Sequence, residues 1–85
     1  MKQGSVGEPE IWRKLTGIFH EVFGRDDIVL TSDLSAKDIA GWDSFKQVEI
    51  IISVQSVFGV KFKSADIDEI RKVGDLVRLV AQKTG

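Results

Sequence analysis

Apolar residues recur along most of the chain at the three- and four-residue spacing of an α-helix. Ile11, Leu15, Ile18, Phe19, Val22 and Phe23 set the first such stretch. Pro9 suits its first turn, Glu8 and Glu10 suit the positive end of its dipole, and Gly24 is a natural stop. A second stretch, SFKQVEIIISVQSVF, runs from Ser44 to Phe58 and halts at Gly59. Val60-Lys61-Phe62 alternates as a connector, and Ser64 is placed to cap a short helix from Ala65 to about Arg71. A last helix over roughly Gly74–Lys83 carries Leu76, Val77, Leu79 and Val80. Its cap position, Lys72 or Val73, is poor, although Asp75 suits the helix dipole.

The segment between the first two helices, RDDIVLTSDLSAKDIAGWD, has no sustained period. A connection this long inside a compact domain is usually pinned or functional. Its isolated apolar residues, Ile28, Leu30, Leu34 and Ile39, are expected to tuck into the core, with at most a turn or two of helix over 35–40. No credible strand pair is visible. The expectation is an all-α four-helix bundle, three longer helices and a short third one, with a long loop between helices 1 and 2. Residues 1–7 lack a periodic pattern and read as a flexible arm, which leaves 8–83 as the domain.

The second helix is more apolar than a surface helix needs. At about 100° per residue, Ile50, Ile51, Val54, Val57 and Phe58 share one face, the width of a core-facing stripe. Phe45, Val48 and Ile52 gather nearly opposite, flanked by a polar strip of Lys46, Glu49, Ser53 and Ser56. Either this helix is wrapped on both sides, or the second stripe stays exposed as a docking surface with i, i+3, i+7 anchors. On the second reading Lys46 and Glu49 border the surface and help to orient a partner.

Composition narrows the function classes. With 42% hydrophobic and 29% charged residues, the chain is too apolar for disorder and too charged for a membrane span. At 85 residues it is one domain that buries only about 60–65% of its unfolded surface, so a deep catalytic cavity is not expected. The absence of Cys excludes a disulfide scaffold and a Cys nucleophile. Twelve basic and thirteen acidic residues form no long block, which argues against nucleic acid as a partner. The start, MKQGSVGEPE, lacks an apolar signal-peptide core, so a cytoplasmic protein without membrane insertion is expected. Asp26, Asp27, Asp33 and Asp38 suggest loop solvation rather than a metal site.

Candidate chemistry centres on GWDSF, residues 41–45. Asp43 is a good N-cap, which places Ser44 in the first helical turn, where free N–H groups and the dipole favour an attached or approaching anion. Plain helix-start chemistry would also explain such a serine. A catalytic serine is disfavoured, because the nucleophile-elbow pattern is missing and the single His, His20, borders the apolar face of the first helix.

Asp43-Ser44-Phe45 resembles the Asp-Ser-Leu signature of acyl carrier proteins and of the related carrier domains of polyketide and peptide synthesis. Val48, Glu49, Ile50, Ile51 and Val54 resemble the apolar pattern of that family's second helix, and Phe58-Gly59 with Phe62 resembles the turn after it. Asp66, Ile67 and Ile70 suit its third helix, and Val73, Leu76, Val77 and Val80 its fourth, so the likeness covers about residues 8 to 83. The resemblance implies a carrier without catalysis of its own. Ser44 would bear a covalent 4′-phosphopantetheine arm drawn from coenzyme A, and the arm's thiol would hold an acyl or aminoacyl group as a thioester. It further implies a phosphoprotein, working as a monomer with a phosphopantetheinyl transferase and with acyl-loading, acyl-transfer or condensing enzymes. Trp42, Phe45, Lys46, Val48, Glu49 and Ile52 would form the docking surface, with Asp43 starting the helix beside the arm. Four features depart from the fatty-acid type. Residues 45–58 carry only Lys46 and Glu49 as charges, Phe45 stands for Leu, Trp42 precedes the acid, and the approach to Ser44 is about two residues longer. They resemble specialised stand-alone carriers of lipid, polyketide or peptide pathways. The alternative is a small helical adaptor with an unmodified Ser44.

Overall fold

Two glycines fix where the longer helices end. The computed structural model describes residues 7–84. Helix α1 spans Glu8–Phe23 and α2 spans Ser44–Phe58. Gly24 and Gly59 follow them with φ of 64° and 66°, the left-handed region a Cβ disfavours. The next N–H in each case donates back to an orphan carbonyl, Arg25 to His20 at 3.0 Å and Val60 to Gln55 at 3.1 Å. At the head of α1, Gly7 is the N-cap and Pro9 occupies the first turn. The arm expected over 1–7 lies outside the described residues except for Gly7.

Helix α3 covers only Ser64–Asp68, and α4 covers Val73–Thr84. The third helix is therefore shorter than its sequence suggests, and Lys63 rather than Ser64 is its N-cap. Asp75 supplies the reason. Its carboxylate accepts the N–H groups of Arg71 at 3.1 Å and Lys72 at 3.3 Å, which draws those residues into the start of α4. This is half of a capping box, and it makes good the poor cap at Lys72. Asp66 does the same for α3 by accepting the N–H of Lys63 at 2.9 Å.

The core is one cluster fed by α1, α2, α4 and the long loop. Ile11, Leu15, Phe19, Ile50, Val54, Leu76 and Val80 are essentially sealed from solvent. Ile28 and Ile39 are buried and Leu30 and Leu34 pack against them, as the loop pattern predicts. The loop is also stitched to α4. Val73 N–H donates to Leu34 at 2.9 Å and Gly74 N–H to Ser32 at 3.0 Å, beside one isolated antiparallel bridge, Ser35 to Lys72. Residues 35–40 form a turn closed by Asp38 N–H on Ser35. Val57 departs from expectation, being half exposed, because it sits at the edge of the core stripe next to the polar strip. Four helices without a paired sheet among the described residues make the all-α bundle expected.

Candidate functional site at the head of helix α2

The chain turns sharply before α2. Gly41 has φ of 89°, and Trp42 N–H closes the turn on Ile39 at 3.2 Å. Asp43 is extended, and its Oδ1 accepts the N–H of Lys46 at 3.0 Å, an N-cap that satisfies one orphan donor of the first turn. Ser44 is then the first helical residue, and its side chain is exposed.

The stripe that follows is open to solvent. Phe45 is 82% exposed, Val48 56% and Ile52 59%, so α2 is not wrapped on both sides. Exposed apolar side chains are ordinary singly; three in one row on one helix starting beside Ser44 form a patch that a partner could cover. Glu49 is exposed at its edge and pairs with Lys46 at 3.3 Å.

Two residues expected on the docking surface also make contacts within the fold. Lys46 Nζ donates to the carbonyl of Val22 at 3.1 Å and so holds the C-terminal end of α1, where a cation is favoured. Trp42 does not join the exposed stripe. Its indole is half buried, edge-on to Phe19 with centroids 5.3 Å apart and to Phe23 at 6.3 Å, and its Nε1–H donates to Gln47 Oε1 at 2.8 Å. A large aromatic with one polar atom settles where the ring finds apolar neighbours and the N–H an acceptor.

A hollow of about 540 Å³ opens beside Ser44, bounded by Trp42, Gln47 and α3 with the turn after it. Sequence spacing gave no sign of Gln47, Asp68 or Arg71 as part of the site, because α3 meets the head of α2 only through the fold. His20 stands apart: its Nε2–H donates to the carbonyl of Ile28 at 2.8 Å, a structural bond that ties α1 to the loop.

With this geometry in place, comparison with known proteins is decisive about kinship. Residues 13–80 match the family described as phosphopantetheine attachment site. The chain is 36% identical over 76 residues to an acyl carrier protein of Thermotoga maritima, covering 89% of this chain and 94% of that one. Its fold matches the solution structure of a holo acyl carrier protein from Geobacter metallireducens with a TM-score of 0.81 and 40% identity, over 85% of this chain and 83% of that one. A crystal structure of an acyl carrier protein from Thermotoga maritima matches with a TM-score of 0.77 and 25% identity, over 89% and 88%. The chain belongs to the acyl carrier protein family, whose prosthetic group is a covalently attached 4′-phosphopantetheine.

Proposed function

We propose that this member of the family bears its arm on Ser44 and delivers an acyl or aminoacyl group to the enzymes of a dedicated biosynthetic pathway. One observation carries the reading: an exposed primary hydroxyl in the first turn of α2, immediately beside the exposed row Phe45, Val48 and Ile52. The residues fit such a group. The hydroxyl is accessible to a transferase, the first-turn N–H groups favour an anion by about 0.3–1 kcal/mol, and the adjoining hollow is open rather than sealed. In loading, Ser44 Oγ displaces 3′,5′-adenosine bisphosphate from the pyrophosphate of coenzyme A. The new bond is Oγ–P, the pyrophosphate P–O bond breaks, and the hydroxyl proton passes to the transferase's base. When bound, the arm supplies a thiol on which the cargo travels as a thioester.

The chain's own part is to present and to be recognised, with no reaction of its own. Asp43 starts the helix, and Phe45, Val48 and Ile52 give partners an apolar footing whose edge lies at the attachment point. The near-neutral surface of α2, with Lys46 and Glu49 already paired to each other, supports partners that recognise shape and apolar contact more than charge. That favours a dedicated pathway over one in which a strongly acidic carrier helix is read electrostatically. Among the described residues no helix is long and apolar enough to cross a membrane. We place the protein in the cytoplasm, as a monomer that meets a phosphopantetheinyl transferase first and acyl-loading, acyl-transfer or condensing enzymes afterwards.

The test is an intact-mass measurement after incubation with coenzyme A and a broad-specificity phosphopantetheinyl transferase. The native sequence is expected to gain one phosphopantetheinyl group and Ser44→Ala none. A gain that persists in Ser44→Ala would overturn the assignment. No gain with several transferases would return the molecule to the adaptor reading.

A further inference from the structure

Ser44 occupies the end of α2 that is hardest to keep wound. It is the first helical residue, and most N–H groups of a first turn have no carbonyl within the helix to bond, so such turns fray. A hydroxyl carried on a fraying turn samples many orientations, of which a transferase can use few. Fastenings stand on both sides of this residue, and both reach the last turns of α1. Two positions before Ser44, the Trp42 ring packs edge-on against Phe19, with centroids 5.3 Å apart, and against Phe23 at 6.3 Å. Two positions after it, Lys46 Nζ donates to the carbonyl of Val22 at 3.1 Å.

Gln47 joins the two sides. Its backbone N–H donates to the carbonyl of Asp43 at 2.9 Å, the first bond of the helix, and its side-chain Oε1 accepts the Trp42 indole N–H at 2.8 Å. The side-chain bond closes residues 42–47 into a ring that contains Ser44. Unwinding the first turn would part Trp42 from Gln47 or pull the indole away from Phe19, which is sealed from solvent. A half-buried indole N–H can be satisfied by water. An acceptor taken instead from α2 itself couples the ring to the start of the helix.

We propose that Trp42 and Gln47 are positioning residues for loading. The bond between their side chains keeps the first turn of α2 wound, so that Ser44 Oγ is held in the orientation from which it reacts with the pyrophosphate of coenzyme A. This role rests on Ser44 as the point of attachment. The two side chains act through the backbone rather than on the reacting atoms, by setting the fraction of molecules whose hydroxyl is ready. A protein of which only a fraction is competent binds its partner more weakly in proportion to that fraction, while the bound complex reacts as before. Loss of the bond therefore raises KM for the carrier and leaves kcat in place.

The experiment varies the concentration of the unloaded full chain against a broad-specificity phosphopantetheinyl transferase with coenzyme A, and reads loading rates by intact mass. Trp42→Phe keeps an aromatic ring and removes the donor, and Gln47→Met keeps the side-chain length and removes the acceptor. Each is expected to raise KM about three- to tenfold while kcat changes by less than about twofold. The variant carrying both changes is expected to match either single one, because both remove the same bond. Gln47→Glu retains an acceptor oxygen and is expected to return KM most of the way to the native value. In unloaded Gln47→Met, hydrogen exchange at the Lys46 and Gln47 amides is expected to quicken several-fold, with the Val54 amide unchanged. Native KM in both single variants, or effects that simply add in the double variant, would overturn the positioning role and leave the attachment intact. A native chain that gains no mass would instead remove the attachment, and this role with it.

Discussion

Lys46 Nζ lies 3.1 Å from the carbonyl oxygen of Val22, so the residue two positions beyond Ser44 closes the end of α1. The head of the presenting helix is thereby fastened to the tail of its neighbour across 24 positions of sequence. Lys46→Met keeps the aliphatic stem and removes the donor. It is expected to cost about 1 kcal/mol in urea unfolding, the worth of one partly exposed charge-assisted bond. An unchanged midpoint would show that the bond contributes nothing and that Lys46 is free for partners.

Asp43 sits where charge and hydrogen bonding can be separated. Asp43→Ala is expected to lose about 1 kcal/mol, because Lys46 N–H loses its acceptor. Asp43→Asn keeps a capping oxygen and is expected to stay within a few tenths of the native value. Transfer of the arm by a transferase, followed by mass, then reports on charge alone in the Asn variant. If Asn destabilises as much as Ala, the cap is not what Asp43 provides.

The exposed row and the core stripe of α2 should respond differently to the same truncation. Ile50→Ala or Ile51→Ala removes a buried side chain and is expected to cost about 2–5 kcal/mol. Phe45→Ala and Ile52→Ala are expected to cost little in stability and to slow acyl transfer with a cognate partner. Equal destabilisation at all these positions would mean that the row is core.

Acid should unfasten the short third helix and the start of α4. The Asp75 carboxyl is held below the ordinary carboxylate range chiefly by the N–H of Arg71, with the N–H of Lys72 adding to it. Asp66 is held low chiefly by the N–H of Lys63, then by the Lys83 ammonium. A carboxyl whose folded value is depressed stabilises fully above its unfolded pKa, about 3.9, and loses that contribution as pH falls through the lower folded value. Melting temperature is therefore expected to hold above about pH 5 and to fall below about pH 4. Asp75→Ala should lower it at neutral pH and flatten the acid slope. A slope parallel to that of the native protein would clear Asp75 of this role.

Most of the helices were legible because their signals are local. Gly24 and Gly59 stop helices wherever they stand after an apolar period, and Asp43 caps the turn directly ahead of it. The exposed row on α2 was legible as a second stripe, although periodicity alone left its exposure open. Trp42 packs edge-on against Phe19 and Phe23 rather than joining the exposed row, which spacing could not foresee because those neighbours come from a different helix. The third helix was drawn too long because Asp75, four residues past Arg71, takes an N–H that helical continuation would have used.

The sequence by itself settled the bundle, the helix that presents Ser44 and the apolar row beside it, since spacing within a few turns decides which side chains share a face. Only the tertiary structure decided what surrounds that serine. The Trp42 lock, the Lys46 clasp on α1 and the hollow against α3 and its following turn depend on how separate helices approach one another. Residues that meet across such distances leave no periodic trace in the chain, because their contact depends on the packing of the whole core.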